Sequence, residues 1–136
     1  MKSIIALDIG KKRTGIAKSD ILGIAVNPYD TIETILLLDE VIKIEREFGI
    51  EKLIIGIPFN IEGGSKETEE FIKTKSKEIQ GEFSKIEIIF INESFSSREA
   101  EARLKDRGVK ISRYNKALID QEAAAILLEQ YFRENT

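Results

Sequence analysis

The sequence predicts an α/β fold of three layers, a mixed five-stranded sheet with helices on both faces. Three observations carry that reading. Short apolar runs such as "SIIALDI", "EKLIIGIP" and "KIEIIFIN" have the length and composition of strands. The first two runs, residues 3–9 and 14–19, are joined by a short turn around Gly10–Arg13, which makes them a hairpin. The later runs are separated by segments with helical apolar spacing, and such long connections favour parallel pairing. Antiparallel and parallel pairs then share one sheet, and helices cover its faces.

In order along the chain, "GIAVNPYD" (residues 23–30) is a third, shorter strand, with Pro28 placing it at an edge. From about Glu33 to Phe48, Leu36, Leu37, Val41, Ile44 and Phe48 recur at helical spacing, and Gly49 is the stop. "EKLIIGIP" suits a strand buried on both faces. "FNIEGGS" is a loop whose Ser65 caps a helix running to about Gln80. After "KIEIIFIN", a capping box from Ser96 to Glu99 opens a helix that ends at Gly108. A last helix runs from about Asn115 to Arg133.

Composition narrows the chemistry. The 136 residues suffice for one domain with one core, and 42% hydrophobic with 33% charged content is that of a soluble globular chain. No apolar run is long enough to cross a bilayer, and the N-terminus lacks a small-residue cleavage site, so the expected location is cytoplasmic. A domain of this kind is expected as a monomer or weak homodimer. Neither cysteine nor histidine is present, which removes disulfides, thiolate nucleophiles, Cys/His zinc sites and imidazole bases together. Net charge is −3, against a generally basic coat but not against a local basic patch.

Three carboxylates interrupt the apolar pattern. Asp8 ends the first strand, Glu93 follows "KIEIIFIN", and Asp120 lies early in the last helix. Ala123, Ala124, Leu127 and Tyr131 follow Asp120 at spacings that put it on the sheet-facing side, where small alanines permit close approach. In open α/β sheets the carboxyl ends of neighbouring strands form one ligand-binding rim. Carboxylates converging there repel one another until a cation relieves them. Oxygen-only ligation suits Mg2+ or Mn2+, and such metals, paired roughly 4 Å apart, serve phosphodiester cleavage without histidine. Asp8, Glu93 and Asp120 are therefore the candidate catalytic and metal-ligating residues.

Cations accompany them. From Arg98 to Lys116 there are seven cations against three anions, a local excess of four in an acidic chain. Arg98, Arg107, Lys110, Arg113 and Lys116, with Lys11, Lys12 and Arg13, are candidate contacts to a nucleic-acid backbone. An ordinary solvated helix face explains residues 98–107 as well. "GGS" at 63–65 lacks the rest of a phosphate-cradling loop, and Ser94, Ser96 and Ser97 serve as helix-entry residues.

The blocks "ALDIGKKRTGIAKSD", "LIIGIPFNIEGG", "NESFSSREAEARL" and "NKALIDQEAAAILLEQYF" resemble, in order and spacing, the YqgF family across essentially the whole chain. That family comprises Holliday-junction-resolvase-like proteins also described as pre-16S rRNA nucleases. The resemblance implies an RNase H-like fold and divalent-metal-dependent phosphodiester hydrolysis in 16S rRNA 5′-end processing. Its partners would be pre-16S rRNA or ribosomal particles, with branched DNA as an alternative. Asp8, Glu93 and Asp120 match the family's acidic positions, and Gly10, Arg13 and Gly15 match its first turn and second strand. Where the family reads Asp-Glu-Arg, this chain reads Asn92-Glu93-Ser94. A negative charge and an arginine are lost there, and Arg98 is close enough in sequence to replace the cation.

Two other classes compete. An aspartate-glycine turn also holds ATP phosphates in sugar-kinase and actin-like proteins, but those need two such domains. A non-catalytic rRNA-binding assembly factor is the other, kept open by the departure at Asn92 and Ser94.

Overall fold

The computed structural model describes residues 2–20, 25–58, 65–92, 96–112 and 115–135. Strands β1 (Ser3–Ile9), β2 (Arg13–Ser19), β3 (Val26–Glu33), β4 (Ile50–Ile57) and β5 (Glu87–Asn92) form one sheet in the order β3-β2-β1-β4-β5. Pairing of β1 with β2 and of β2 with β3 is antiparallel, and β1–β4 and β4–β5 are parallel. The mixed sheet read from the sequence is therefore the one that forms. Helices α1 (Leu37–Phe48) and α2 (Ser65–Glu82) provide the connections on either side of β4, while α3 (Ser96–Asp106) and α4 (Lys116–Glu134) follow β5.

The period-2 alternation of the central strands divides the core. Ile5, Leu7, Ile9, Leu53, Ile55 and Ile57 point to one face, where they pack with Leu37, Val41 and Ile44 of α1 and Ile72 and Ile79 of α2. Ala6, Ala17, Ile54 and Ile91 point to the other, under Ala124, Ala125, Leu127, Leu128 and Tyr131 of α4. On the second face Ala6 and Ala17 of the sheet meet Ala124 and Ala125 of the helix, small residues that let α4 lie close to the sheet. Helix α3 rests on α4 through Ala100, Ala123 and Ile126.

Two boundaries differ from the sequence expectation. The third strand runs to Glu33, and a single 3-10 turn, Thr34–Leu36, precedes α1, which begins at Leu37. Long-range pairing overrides local periodicity here. Arg13 and Thr14 remain in register with Glu33 and Ile32. Thr34 then donates its hydroxyl to Gly10 O (2.6 Å), shares a hydrogen bond with the Thr14 hydroxyl (2.9 Å) and donates its N–H to Lys12 O (2.9 Å). Of the helically spaced apolar positions, Leu36 and Phe48 remain partly exposed (49% and 38%), whereas Leu37, Val41 and Ile44 are buried. Pro28 lies on an edge strand, as its missing N–H requires.

Helix ends follow their signals. Gly49 (φ 75°) and Gly108 (φ 84°) take the left-handed backbone that a side chain would resist, stopping α1 and α3. The caps expected from Ser65 and Ser96 involve side chains outside the described residues. Asn115 does not cap α4 with its side chain. Its Oδ1 accepts the Ser112 N–H (2.8 Å) and its Nδ2 donates to Lys110 O, tying down the basic connection before the helix.

Candidate metal and nucleic-acid site

Asp8 is the penultimate residue of β1 and lies directly opposite Gly15 in the β1–β2 ladder. It shares the α4-facing side with Ala6, two residues earlier. Gly15 in turn lies against the first turns of α4. A Cβ placed on it would come within 2.0 Å of the Asp120 carbonyl oxygen. Asp8, Gly15 and Asp120 thus form a continuous sequence of neighbours, from strand pair to helix backbone. The backbone of Asp120 thus lies against the strand residue that pairs with Asp8, through a glycine whose role is to let a helix touch a strand. The carboxyl end of β1 and the first turns of α4 therefore make one rim.

Arg13, two residues before Gly15 on the same side of β2, reaches this rim. Its Nε donates to Asp120 Oδ2 at 2.7 Å, with the arginine side chain 44% exposed and the aspartate 22%. Sequence reading offered Arg13 as a phosphate contact and did not foresee this pairing, which spans 107 residues. Thr31 Oγ1, on the neighbouring strand, donates to Ala117 O at 2.6 Å, giving α4 a further anchor on the sheet.

Glu93 lies outside the described residues, as does Arg113. Among the described residues no three acidic side chains stand close enough together to hold a metal ion. Of the three candidate ligands the described part comprises Asp8 and Asp120. Its donors fit a hard cation: they are carboxylate oxygens, in a chain with no histidine or cysteine to offer nitrogen or sulfur.

The remaining cations divide into two sets. Lys12, Arg98, Lys110 and Lys116 are exposed. Lys11 is exposed too but pairs with Glu67 of α2 at 2.8 Å, and that hydrogen bond holds the Glu67 carboxyl below its usual range. Arg103 and Arg107 turn toward α4 instead. Arg103 holds Glu129 with both terminal nitrogens (2.7 and 2.9 Å), which together with nearby Glu99 and Glu122 raises its pKa against the opposing effect of burial. Arg107 Nη2 donates to Glu122 Oε1 at 2.5 Å, and Arg103 approaches the same oxygen at 3.6 Å.

Glu122, only 7% exposed, is the functional surprise of α4. Its identity in "DQEAAA" gives no sign that two guanidiniums from another helix will meet it. The cluster fastens α3, the helix that follows the Glu93 segment, to α4, the helix that carries Asp120. Glu122→Ala is expected to lower stability by about 1–3 kcal/mol, the range for unpairing buried polar groups. Urea unfolding checks this, and a loss under about 0.5 kcal/mol would mean that Glu122 does not fasten α3 to α4.

Comparison with known proteins follows the same lines. The profile of the family described as RuvX, Holliday junction resolvase, matches residues 2–134. A protein of Phocaeicola vulgatus named "Putative pre-16S rRNA nuclease" is 35% identical over 132 residues, covering 96% of this chain and 95% of its own. One of Crocosphaera subtropica bearing the same name is 35% identical over 136 residues, covering 95% and 91%. Among solved structures, Thermus thermophilus RuvC in complex with a Holliday junction substrate superposes with a TM-score of 0.60 at 13% identity, over 98% of this chain and 96% of that one. At that identity the likeness is one of fold, and the fold is RNase H-like.

Proposed function

This chain belongs to the RuvX family, also called YqgF, and from that premise we propose that it is a divalent-metal-dependent nuclease of structured RNA that processes the 5′ end of pre-16S rRNA. The observation that carries the reading is the seating of Asp120 on Gly15, directly across the ladder from Asp8. It gives two strictly oxygen-bearing acids a common rim at the end of β1. Family membership and the names of the relatives support the reaction class and the RNA substrate.

Asp8 and Asp120 would hold Mg2+ or Mn2+, with Glu93 completing the set from the segment after β5. When bound, such a metal supplies a water of lowered pKa and offsets charge on the leaving oxygen. The chain's own residues bind and orient. Exposed Lys12, beside the rim in the β1–β2 turn, meets backbone phosphate, and Arg98, Lys110 and Lys116 extend that contact along α3 and the start of α4. Arg107 contributes to the surface from a position already tied to Glu122.

The family's description as Holliday junction resolvase favours a second reading, cleavage of four-way DNA. One experiment separates them. Purified protein is given a 5′-extended 16S precursor and a four-way junction, each with and without Mn2+, alongside Asp8→Asn and Asp120→Asn. The expected result is metal-dependent trimming of the RNA by wild type alone. Cleavage confined to the junction would select the second reading. RNA binding without cleavage of either substrate would select an assembly factor. Among the described residues no helix is long and apolar enough to cross a membrane.

A further inference from the structure

We propose that Arg13 is shared between Asp120 and the substrate: it holds the Asp120 carboxylate when metal is absent and moves to a backbone phosphate when nucleic acid binds, so that substrate and metal load together. The inference rests on the reading of Asp8 and Asp120 as metal ligands.

The geometry gives Arg13 a fixed base and a movable end. Its carbonyl accepts the Gly10 N–H at 2.9 Å, closing the β1–β2 turn, and its Cα is in register with Glu33 of β3. The turn is this tight because Gly10 has no side chain, a Cβ there falling 2.7 Å from Arg13 O. The Arg13 side chain, in contrast, is twice as exposed as that of the Asp120 it meets, 44% against 22%. The moving partner is therefore the arginine, while Asp120 stays with the helix seated on Gly15.

The contact itself uses Nε, one of the five donors a guanidinium carries. A phosphate suits the planar fork better, since it accepts two parallel hydrogen bonds. Arg13 also follows the exposed Lys12 in the same turn, so a phosphate drawn by that lysine arrives beside it.

Competition follows from charge. A guanidinium and a divalent cation draw on the same carboxylate and repel each other. Whatever takes Arg13 away from Asp120 raises the affinity for metal, and by thermodynamic linkage metal raises the affinity for that agent by the same factor. A purely structural Arg13, pinning β2 to α4, has no such coupling.

The test is calorimetric titration with Mn2+ of wild type, Arg13→Gln and Asp120→Asn, each with and without a short phosphorothioate oligoribonucleotide, the oligonucleotide alone being titrated as blank. Arg13→Gln is expected to bind Mn2+ about 5–20-fold more tightly than wild type in the absence of oligonucleotide. The oligonucleotide should raise the Mn2+ affinity of wild type by a similar factor and leave that of Arg13→Gln unchanged. Equal or weaker Mn2+ binding by Arg13→Gln, with wild type still binding and Asp120→Asn not, would overturn the proposal while leaving the metal site standing. Indistinguishable titrations for wild type and Asp120→Asn would overturn both.

Discussion

Asp8→Asn is expected to lose at least about 100-fold in cleavage rate while its apo form melts within a few degrees of wild type. Asparagine keeps the shape of the side chain at the end of β1 but replaces an anionic oxygen with an NH2 that can donate and cannot ligate. Removing even an outer partner of a metal ligand costs about 10–100-fold, so loss of a carboxylate in direct contact belongs at or beyond the top of that range. A second readout is independent of turnover. Mn2+ at about 100 times its Kd should stabilise wild type by about 2.7 kcal/mol, a rise of roughly 5–15 °C in Tm for a domain of this size. Asp8→Asn should show little of that rise. An unchanged rate, or a full thermal response to Mn2+, would remove Asp8 from the site.

Gly15→Ala is expected to destabilise the protein strongly. The new Cβ would lie 2.0 Å from Asp120 O, 2.2 Å from its carbonyl carbon and 2.8 Å from Gln121 N. All three obstacles are backbone, so no rotamer relieves them: either the first turns of α4 lift or β2 shifts within its sheet. Overpacking a core usually costs about 1–3 kcal/mol, and an encounter this deep belongs at or above the upper end. Urea unfolding should show it as a lower midpoint with unchanged slope. Because Asp120 moves with the helix, activity should fall further than the folded fraction does, by as much as about 100-fold for a 1 Å displacement. Gly81→Ala is the control, since nothing lies within 4 Å of its would-be Cβ in α2. There the same methyl should stabilise by about 0.5–1 kcal/mol through helix propensity. A Gly15→Ala protein as stable as wild type would refute the close contact on which the site depends.

The architecture was legible because its signals are local or periodic. Strand runs, turn residues and helix stops each act over a few positions, and alternation along β1 and β4 follows directly from a sheet covered on both faces. Legibility failed where distant pairing outweighed local pattern. Leu36 has the spacing of a core helix position, yet Thr34 is held by Gly10, Lys12 and Thr14, so the helix starts at Leu37 instead of about Glu33 and Leu36 is exposed. At the site, Asp8 and Asp120 were identifiable as acids in apolar surroundings. Their connection through Gly15 was not, because a glycine in a strand looks the same whether it faces solvent or a helix backbone.

By itself the sequence determined the order of elements and the mixed character of the sheet, the exclusion of imidazole and thiolate chemistry, and the acids from which a site can be made. These are matters of composition and short-range order, which the chain carries wherever it is. The tertiary structure decided which charges meet. Arg13 and Arg107 look equally free in the sequence, but one meets Asp120 at the rim and the other is committed to a buried Glu122. Electrostatic partnership depends on distance in space, and only the folding of α4 onto the hairpin and of α3 onto α4 brings those groups within reach.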